Sequence, residues 1–213
     1  MKLRKSELIV LLIILLSVLV SLYFSPKLPP QIASHWNYKG EVDGYMSKFW
    51  GLFLMPIVLF VLFLMFLIIP KLDPLKANVE KFRKYFDGFI IIISLFMLAI
   101  QLLIILWSLG IKIKPNIMFP IGFAILFYYL GIMLIHSKRN WFIGLKTPWT
   151  LSSDIVWDKT HKLGGKLLKI CGVISLVGIL FQTYAIIFVL VPIIISVIYL
   201  TIYSYTEYKK EKK

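Results

Sequence analysis

Cysteine is almost missing from this chain: Cys171 is the only one among 213 residues, so no disulfide can staple the fold and no cysteine-based metal site can form. It lies in an apolar run and reads as a small core residue. Histidine is nearly as scarce, with His35, His136 and His161 alone. There is no His-Glu-x-x-His run, no Gly-x-Ser-x-Gly elbow and no pair of acids inside an apolar run, so the motif signs of hydrolases and intramembrane proteases are absent. A site using His161 with Asp158 or Ser153 is the one catalytic arrangement left open, and no enzyme is expected. Acidic residues are few as well, 10 against 24 Lys and Arg, for a net charge of +14. The lysines sit between apolar runs and form no separate basic domain, which argues against nucleic acid and for membrane topology and anionic lipid headgroups.

Charge of either sign is sparse too. Only 16% of residues are charged and 60% are hydrophobic, against about 25% and about 45–50% in a soluble domain. The apolar runs are continuous, without the in-out alternation of a membrane barrel strand. The expected class is therefore all-α, a polytopic helical bundle in the membrane.

The runs 8–24, 49–69, 88–111 and 115–135 are free of charge, and each approaches the roughly 20 residues that carry a helix across about 30 Å of hydrocarbon. The uncharged stretch 170–206 is too long for one crossing at about 1.5 Å per residue. It is expected to hold two helices, the fifth starting near Gly165, the sixth ending near Tyr205, with a tight turn at Gln182-Thr183-Tyr184. About six crossings result. The first run, behind Lys2, Arg4 and Lys5, meets Ser25-Pro26-Lys27-Leu28-Pro29-Pro30 with no small-x-small cleavage site, and is expected to stay as an anchor. Of the 24 Lys and Arg, 19 fall at the termini and in the even-numbered loops, which predicts that these face the cytoplasm. Three segments follow: 1–70 with two helices and an outer loop, 71–136 with two helices, and 137–213 with an inner segment and a C-terminal helical hairpin.

Two hydrophilic stretches remain, 25–48 outside and 137–165 inside. In the first, Asn37-Tyr38-Lys39-Gly40 is a turn sequence whose glycine suits a positive φ, so a small hairpin on the outer face is expected. His35 with Glu41 and Asp43 can ligate a metal or form a pH-sensitive pair; equally, these groups can satisfy backbone while Trp36, Tyr38 and Tyr45 anchor the loop at headgroup level. In the second stretch, Ser152 or Ser153 can cap a helix, Asp154 suits its first turn, and Gly164-Gly165 can end it. A short amphipathic helix over 154–163 is expected, with Asp154, Trp157, Asp158 and His161 on one face. It is read either as a cuff lying in the membrane plane or as a docking surface.

Two blocks of residues then carry a resemblance. The first is His35-Trp36-Asn37, Gly40, Asp43-Gly44 and Ser47-Lys48. The second is Asn140, Gly144-Leu145-Lys146-Thr147-Pro148-Trp149-Thr150-Leu151-Ser152-Ser153, Val156-Trp157, Lys159-Thr160-His161 and Gly164-Gly165. Together they resemble the SdpI family of bacterial membrane proteins, the first block its small N-terminal domain and the second its signature segment. Lys146 stands where that pattern more often has Arg, and Asp154 where it has Glu; both keep charge but alter reach.

The resemblance implies an immunity protein of the bacterial cytoplasmic membrane that protects against a secreted, membrane-active peptide toxin of the sporulation-delay type. It further implies signalling, with an ArsR-type helix-turn-helix repressor drawn to the inner face. Membrane lipids are the remaining partner, and no cofactor or metal is implied. Toxin contact is expected at His35, Trp36, Asn37, Gly40, Asp43 and Lys48. Inner docking is expected at Asn140, Gly144, Lys146, Thr147, Pro148, Trp149, Ser152, Ser153, Trp157 and His161, with Gly164 and Gly165 as a hinge. The alternative is a small-molecule or peptide transporter. Against it, the spans contain no ionisable residue in their interiors, where Gln101 is the most conspicuous polar group, and no repeated halves with broken helices.

Overall fold

An uncharged run in lipid has no water to satisfy its backbone, so a helix that closes every hydrogen bond within itself is the available form. The computed structural model describes residues 3–213. In chain order it contains α1 (Lys5–Phe24), β1 (Gln31–Trp36), β2 (Val42–Ser47), α2 (Lys48–Leu72), α3 (Lys76–Lys81), α4 (Arg83–Ser108), α5 (Pro115–His136), α6 (Pro148–Ser152), α7 (Asp154–Val177) and α8 (Ala185–Glu211). Among the described residues, five stretches are long and apolar enough to cross a membrane, the last being Asp154–Glu211. That last stretch folds back on itself at Gly178–Tyr184, a 3₁₀ segment interrupted by the non-helical Phe181 (φ −116°, ψ 49°). The turn expected at 182–184 is therefore present, begins four residues earlier at Gly178, and lets α7 and α8 pack side by side. The result is a multi-pass helical membrane bundle.

α1, α2 and α4 pack on one another, as do α5, α7 and α8, and α4 against α5 is the main helix contact joining the two groups. The central segment 71–136 is thus shared between them. Lipid-facing sides keep their hydrocarbon outward, as Leu12, Leu15 and Leu19 do on α1 and Ile194, Ile195 and Ile198 on α8. Between the helices of the first group, Val10, Leu59, Phe63, Phe86 and Ile90 build one core. Leu28, Ile32, Leu52 and Ile105 build another beneath the hairpin.

Lipid tails are as apolar as leucine, so burial alone does not hold such helices together; close packing at small residues and interhelical hydrogen bonds do. Both devices are present. A Cβ placed on Gly165 of α7 would stand 2.5 Å from the carbonyl oxygen of Gly131 on α5, and one on Gly172 would stand 2.8 Å from that of Ala124. The antiparallel helices meet backbone to backbone. In the other group, Gln101 is fully buried. Its Oε1 accepts from Ser17 Oγ at 2.5 Å, and its Nε2 donates to Ser17 O at 2.9 Å and Ser21 Oγ at 2.7 Å. Ser21 Oγ donates in turn to Leu52 O at 2.7 Å, so one amide joins α4, α1 and α2.

The inner helix differs from the expectation. It starts where its cap predicts, with Ser153 Oγ accepting from Val156 N at 3.2 Å, but it does not end at Gly164-Gly165. α7 runs unbroken from Asp154 to Val177, so no separate cuff lies in the membrane plane. The glycine pair is the point where α7 presses against its neighbours, Gly165 on α5 and Gly164 near Leu134 and Leu200. Helix propensity in water would stop the helix there; close packing in the bundle carries it through.

Candidate functional site

Turn chemistry builds the hairpin end. Asn37 Oδ1 accepts from Lys39 N at 2.9 Å and Glu41 N at 3.1 Å, and Gly40 N donates to Asn37 O at 2.8 Å. Gly40 has φ +81°, the left-handed conformation that the turn requires. The antiparallel strands pair Gln31 with Ser47, Ala33 with Tyr45 and Trp36 with Val42, with an irregularity around His35. The expected hairpin is therefore present. His35 Nδ1 donates to Asp43 Oδ1 at 2.5 Å, while Glu41 accepts from Asn37 Nδ2 at 3.2 Å. The imidazole thus takes one carboxylate rather than two, and among the described residues no His, Cys, Asp and Glu cluster has the makings of a metal site. Asn116 Nδ2 on α5 donates to Tyr38 O at 3.0 Å, docking the hairpin tip onto the second helix group. Lys48 Nζ reaches Leu28 O at 3.3 Å and closes its base.

Beneath the hairpin the two helix groups part, leaving a cavity of about 490 Å³, within the roughly 300–1,000 Å³ typical of ligand sites. Its mouth carries Ser34, His35, Asn37 and Asn116; its walls are Met55 of α2, Ile100 and Ile104 of α4, Phe119 and Phe123 of α5, and Ile186 and Val189 of α8. Trp36 stands at the edge, its ring 5.6 Å from that of Trp107 in a T-shaped arrangement. Among the described residues no acceptor reaches its buried indole Nε1.

At the opposite end, beside both helical termini, residues 137–153 fold over α7 as a hydrogen-bonded platform. Asn140 is fully buried and knots the loop: its Oδ1 accepts from Phe142 N and Ile143 N, and its Nδ2 donates to Lys138 O and Ile143 O. His161 is buried and stacks on Trp157 with ring centroids 3.8 Å apart. Its Nε2 accepts from Leu145 N at 3.0 Å, so Nδ1 carries the proton that it donates to Trp157 O at 2.8 Å. Gly144 (φ +119°) lets the loop pass over that ring, since a Cβ there would stand 2.5 Å from His161 Nε2. Trp157 Nε1 donates to Ser137 O at 3.2 Å, and Thr147 Oγ1 meets Ser204 Oγ of α8 at 3.1 Å.

The inner candidates therefore divide. Asn140, Thr147, Ser153, Trp157 and His161 are interior props, closed to a partner by burial. Lys146, Pro148 and Ser152 are exposed, and Gly144 and Trp149 are partly so. The expected common face splits likewise, because Asp154 and Asp158 stay outside and pair with Arg139 at 2.8 Å and Lys138 at 2.9 Å. With both ring nitrogens engaged and Asp158 bound to Lys138, the arrangement of His161 with Asp158 or Ser153 does not assemble. Sequence reading missed Asp73 and Asn78, which tie the α2–α3 turn to the platform: Asp73 Oδ2 accepts from Trp141 N at 2.9 Å and Asn78 Nδ2 donates to Arg139 O at 2.9 Å. It also missed Asn116, Phe119 and Phe123, which carry no local sign of lining a cavity.

Comparison with known proteins bears on both ends. The pattern described as the SdpI/YfhL protein family matches residues 136–204, spanning the platform, α7 and most of α8. A domain of unknown function, DUF1648, matches residues 12–60, spanning the latter two thirds of α1, the hairpin and the first half of α2. The chain is 27% identical over 207 residues to Immunity protein SdpI of Bacillus subtilis (strain 168), covering 97% of each chain. No solved structure matches.

Proposed function

Since the chain belongs to the SdpI/YfhL family, we propose that it is an immunity protein, guarding its cell against a secreted, membrane-active peptide toxin that it meets at the outer face. The observation that carries this reading is the hairpin end. A polar, aromatic-rimmed hairpin bearing His35, Trp36, Asn37 and Asp43 stands over an open cavity, in a chain whose other end is closed by buried hydrogen bonds. Six crossings with both termini inside belong to the same reading, supported by the six long helices and by the excess of Lys and Arg at the terminal end. Gly40 and Lys48 hold the hairpin's turn and base and act on toxin through its shape.

Signalling through a cytosolic ArsR-type repressor is the finer part of the proposal. In this proposal the repressor docks on the exposed side of the platform around Lys146, Pro148, Trp149 and Ser152, a reading supported by the burial of the other inner candidates. Any toxin-driven signal requires that toxin favour one of two arrangements, since equal affinity for both shifts nothing. Gly164 and Gly165 enter as the contact whose sliding would couple α7 to α5.

The test is protection. A sensitive bacterium expressing the chain is challenged with a purified peptide toxin of the sporulation-delaying type. Protection is expected to rise on expression and to fall with Trp36→Ala and His35→Ala at unchanged protein abundance. Undiminished protection by both variants contradicts recognition at the hairpin.

A further inference from the structure

We propose that the lipid-facing side of α7 carries a binding site for an anionic phospholipid, formed by Lys162, Lys166 and Lys169 beside Tyr128 of α5, in the leaflet on the side of the chain termini. The site is additional to toxin immunity and does not depend on it. Three observations carry it.

The first is depth. The sequence places the charge-free part of this crossing at residue 170 onward, with every span clear of ionisable groups; packing sets the lysines deeper than that. Cys171 meets Ser196 of α8, Sγ to Oγ 3.3 Å apart. Ser196 lies midway between Ala185, where α8 begins, and Glu207, the first charge toward its far end. On the other side, a Cβ on Gly131 of α5 would stand 2.9 Å from Lys169 Cγ, and one on Gly165 would meet Ile135, beside the end of α5 at His136. Lys169 is therefore level with the middle of the uncharged run of α8, while Lys162 is level with the end of α5. Between them α7 advances about 10 Å at 1.5 Å per residue. Lysine stems snorkel toward water, but an ammonium set this far into hydrocarbon calls for a counter-charge.

The second is that the chain supplies none. Asp158, one turn before Lys162, is bound to Lys138; Asp154 is bound to Arg139, and Glu207 to Lys159 and Lys210. Among the described residues Lys162 and Lys166 have no hydrogen bond or ion pair, and Lys169 Nζ faces the Tyr128 ring at 5.6 Å. With these carboxylates engaged, none is left to receive the amine of a zwitterionic headgroup, so the arrangement favours a headgroup of net negative charge.

The third is the shape of the face. Lys162, Lys166, Lys169, Val173 and Leu176 follow one another at alternating steps of four and three residues and so form one stripe. It lies opposite the buried Trp157, His161, Leu168 and Cys171. Val173 is 57% exposed and Leu176 44%. Charge followed by open hydrocarbon is the order of a phospholipid's phosphate and acyl chain. A cytosolic protein does not reach this depth, and a second copy packed by twofold symmetry would set lysines against lysines.

The experiment uses the full chain in phosphatidylcholine nanodiscs, in a Cys171→Ala background. A single cysteine replaces Ile170, 53% exposed beside the stripe, and is labelled with bimane. Phosphatidylglycerol or phosphatidylcholine, brominated on the acyl chains, is added at equal mole fraction. The brominated phosphatidylglycerol is expected to quench at least twofold more than the brominated phosphatidylcholine. That preference is expected to vanish when Lys162→Gln, Lys166→Gln and Lys169→Gln are combined, and to survive Lys169→Arg. At Ile198, exposed on α8 two residues from Ser196, a cysteine labelled in the same way is expected to be quenched alike by both lipids. Equal quenching at 170 overturns the site. An equal preference at 198 also overturns it, since a basic protein would then be drawing anionic lipid to its whole perimeter. A preference untouched by the triple variant removes the lysines from the site. Should that variant accumulate poorly, the comparison of 170 with 198 in the chain that keeps its lysines decides.

Discussion

Replacing Gln101 by Leu isolates what a buried amide contributes where the hydrophobic effect contributes little. The side chains are close in size, so packing against Ser17, Ser21 and Leu52 changes little while three interhelical hydrogen bonds are lost. Measured interhelical bonds in membrane proteins average about 0.6 kcal/mol and reach about 1.7, giving about 2 kcal/mol for the three. The loss stays near the average because each serine can turn back to a carbonyl of its own helix, as Ser21 Oγ already does toward Ser17 O at 3.0 Å. For a chain of this length about 2 kcal/mol lowers Tm by roughly 4–8 °C. The assay is thermal unfolding of the protein in lipid nanodiscs, followed by tryptophan fluorescence, for Gln101→Leu, Ser17→Ala and the double variant. Ser17→Ala is expected to cost less in the Gln101→Leu background than alone, because the shared bonds are already gone. Strict additivity, or a Tm shift below about 1 °C, would refute the view that this amide holds α1, α2 and α4 together.

Two further outcomes follow from the same geometry. Gly165→Ala sets a Cβ 2.5 Å from the Gly131 carbonyl and must push α5 from α7, so it is expected to destabilise by about 1–3 kcal/mol, the usual scale of overpacking; nanodisc unfolding reads this, and an unchanged Tm would contradict the backbone contact. Asn140→Ala leaves four backbone partners of the platform loop unmet, at about 1 kcal/mol or more apiece where they stay buried. Faster trypsin cleavage after Lys138 or Lys146 in inverted membrane vesicles is expected, and an unchanged digestion rate would count against the knot.

Local chemistry made some of this legible and tertiary packing hid the rest. Asn37-Tyr38-Lys39-Gly40 announces its own turn, because the asparagine oxygen and the glycine φ act within four residues. Uncharged runs announce helices because lipid permits little else. Gly164-Gly165 misled for the converse reason: a glycine pair ends helices in water, yet here it is the small surface on which α5 lies. Trp157 and His161 looked like an exposed face because Asp154, Asp158 and Lys159 flank them, and only the loop folding back over α7 buries them. Gln101 stood out at once, but its partner Ser17 lies 84 residues away, and no pattern of spacing joins the two. The cavity was invisible for the same reason, being a gap between two helix groups rather than a property of any one segment.

Sidedness decides the division of work between the hairpin and the platform. In a Cys171→Ala background, single cysteines at Tyr38 and Ser152, both exposed, are treated in intact cells with a membrane-impermeant maleimide. Labelling of Tyr38→Cys alone, with Ser152→Cys reacting only after lysis, is the predicted result. Equal labelling of both before lysis, or of Ser152→Cys alone, would contradict the account.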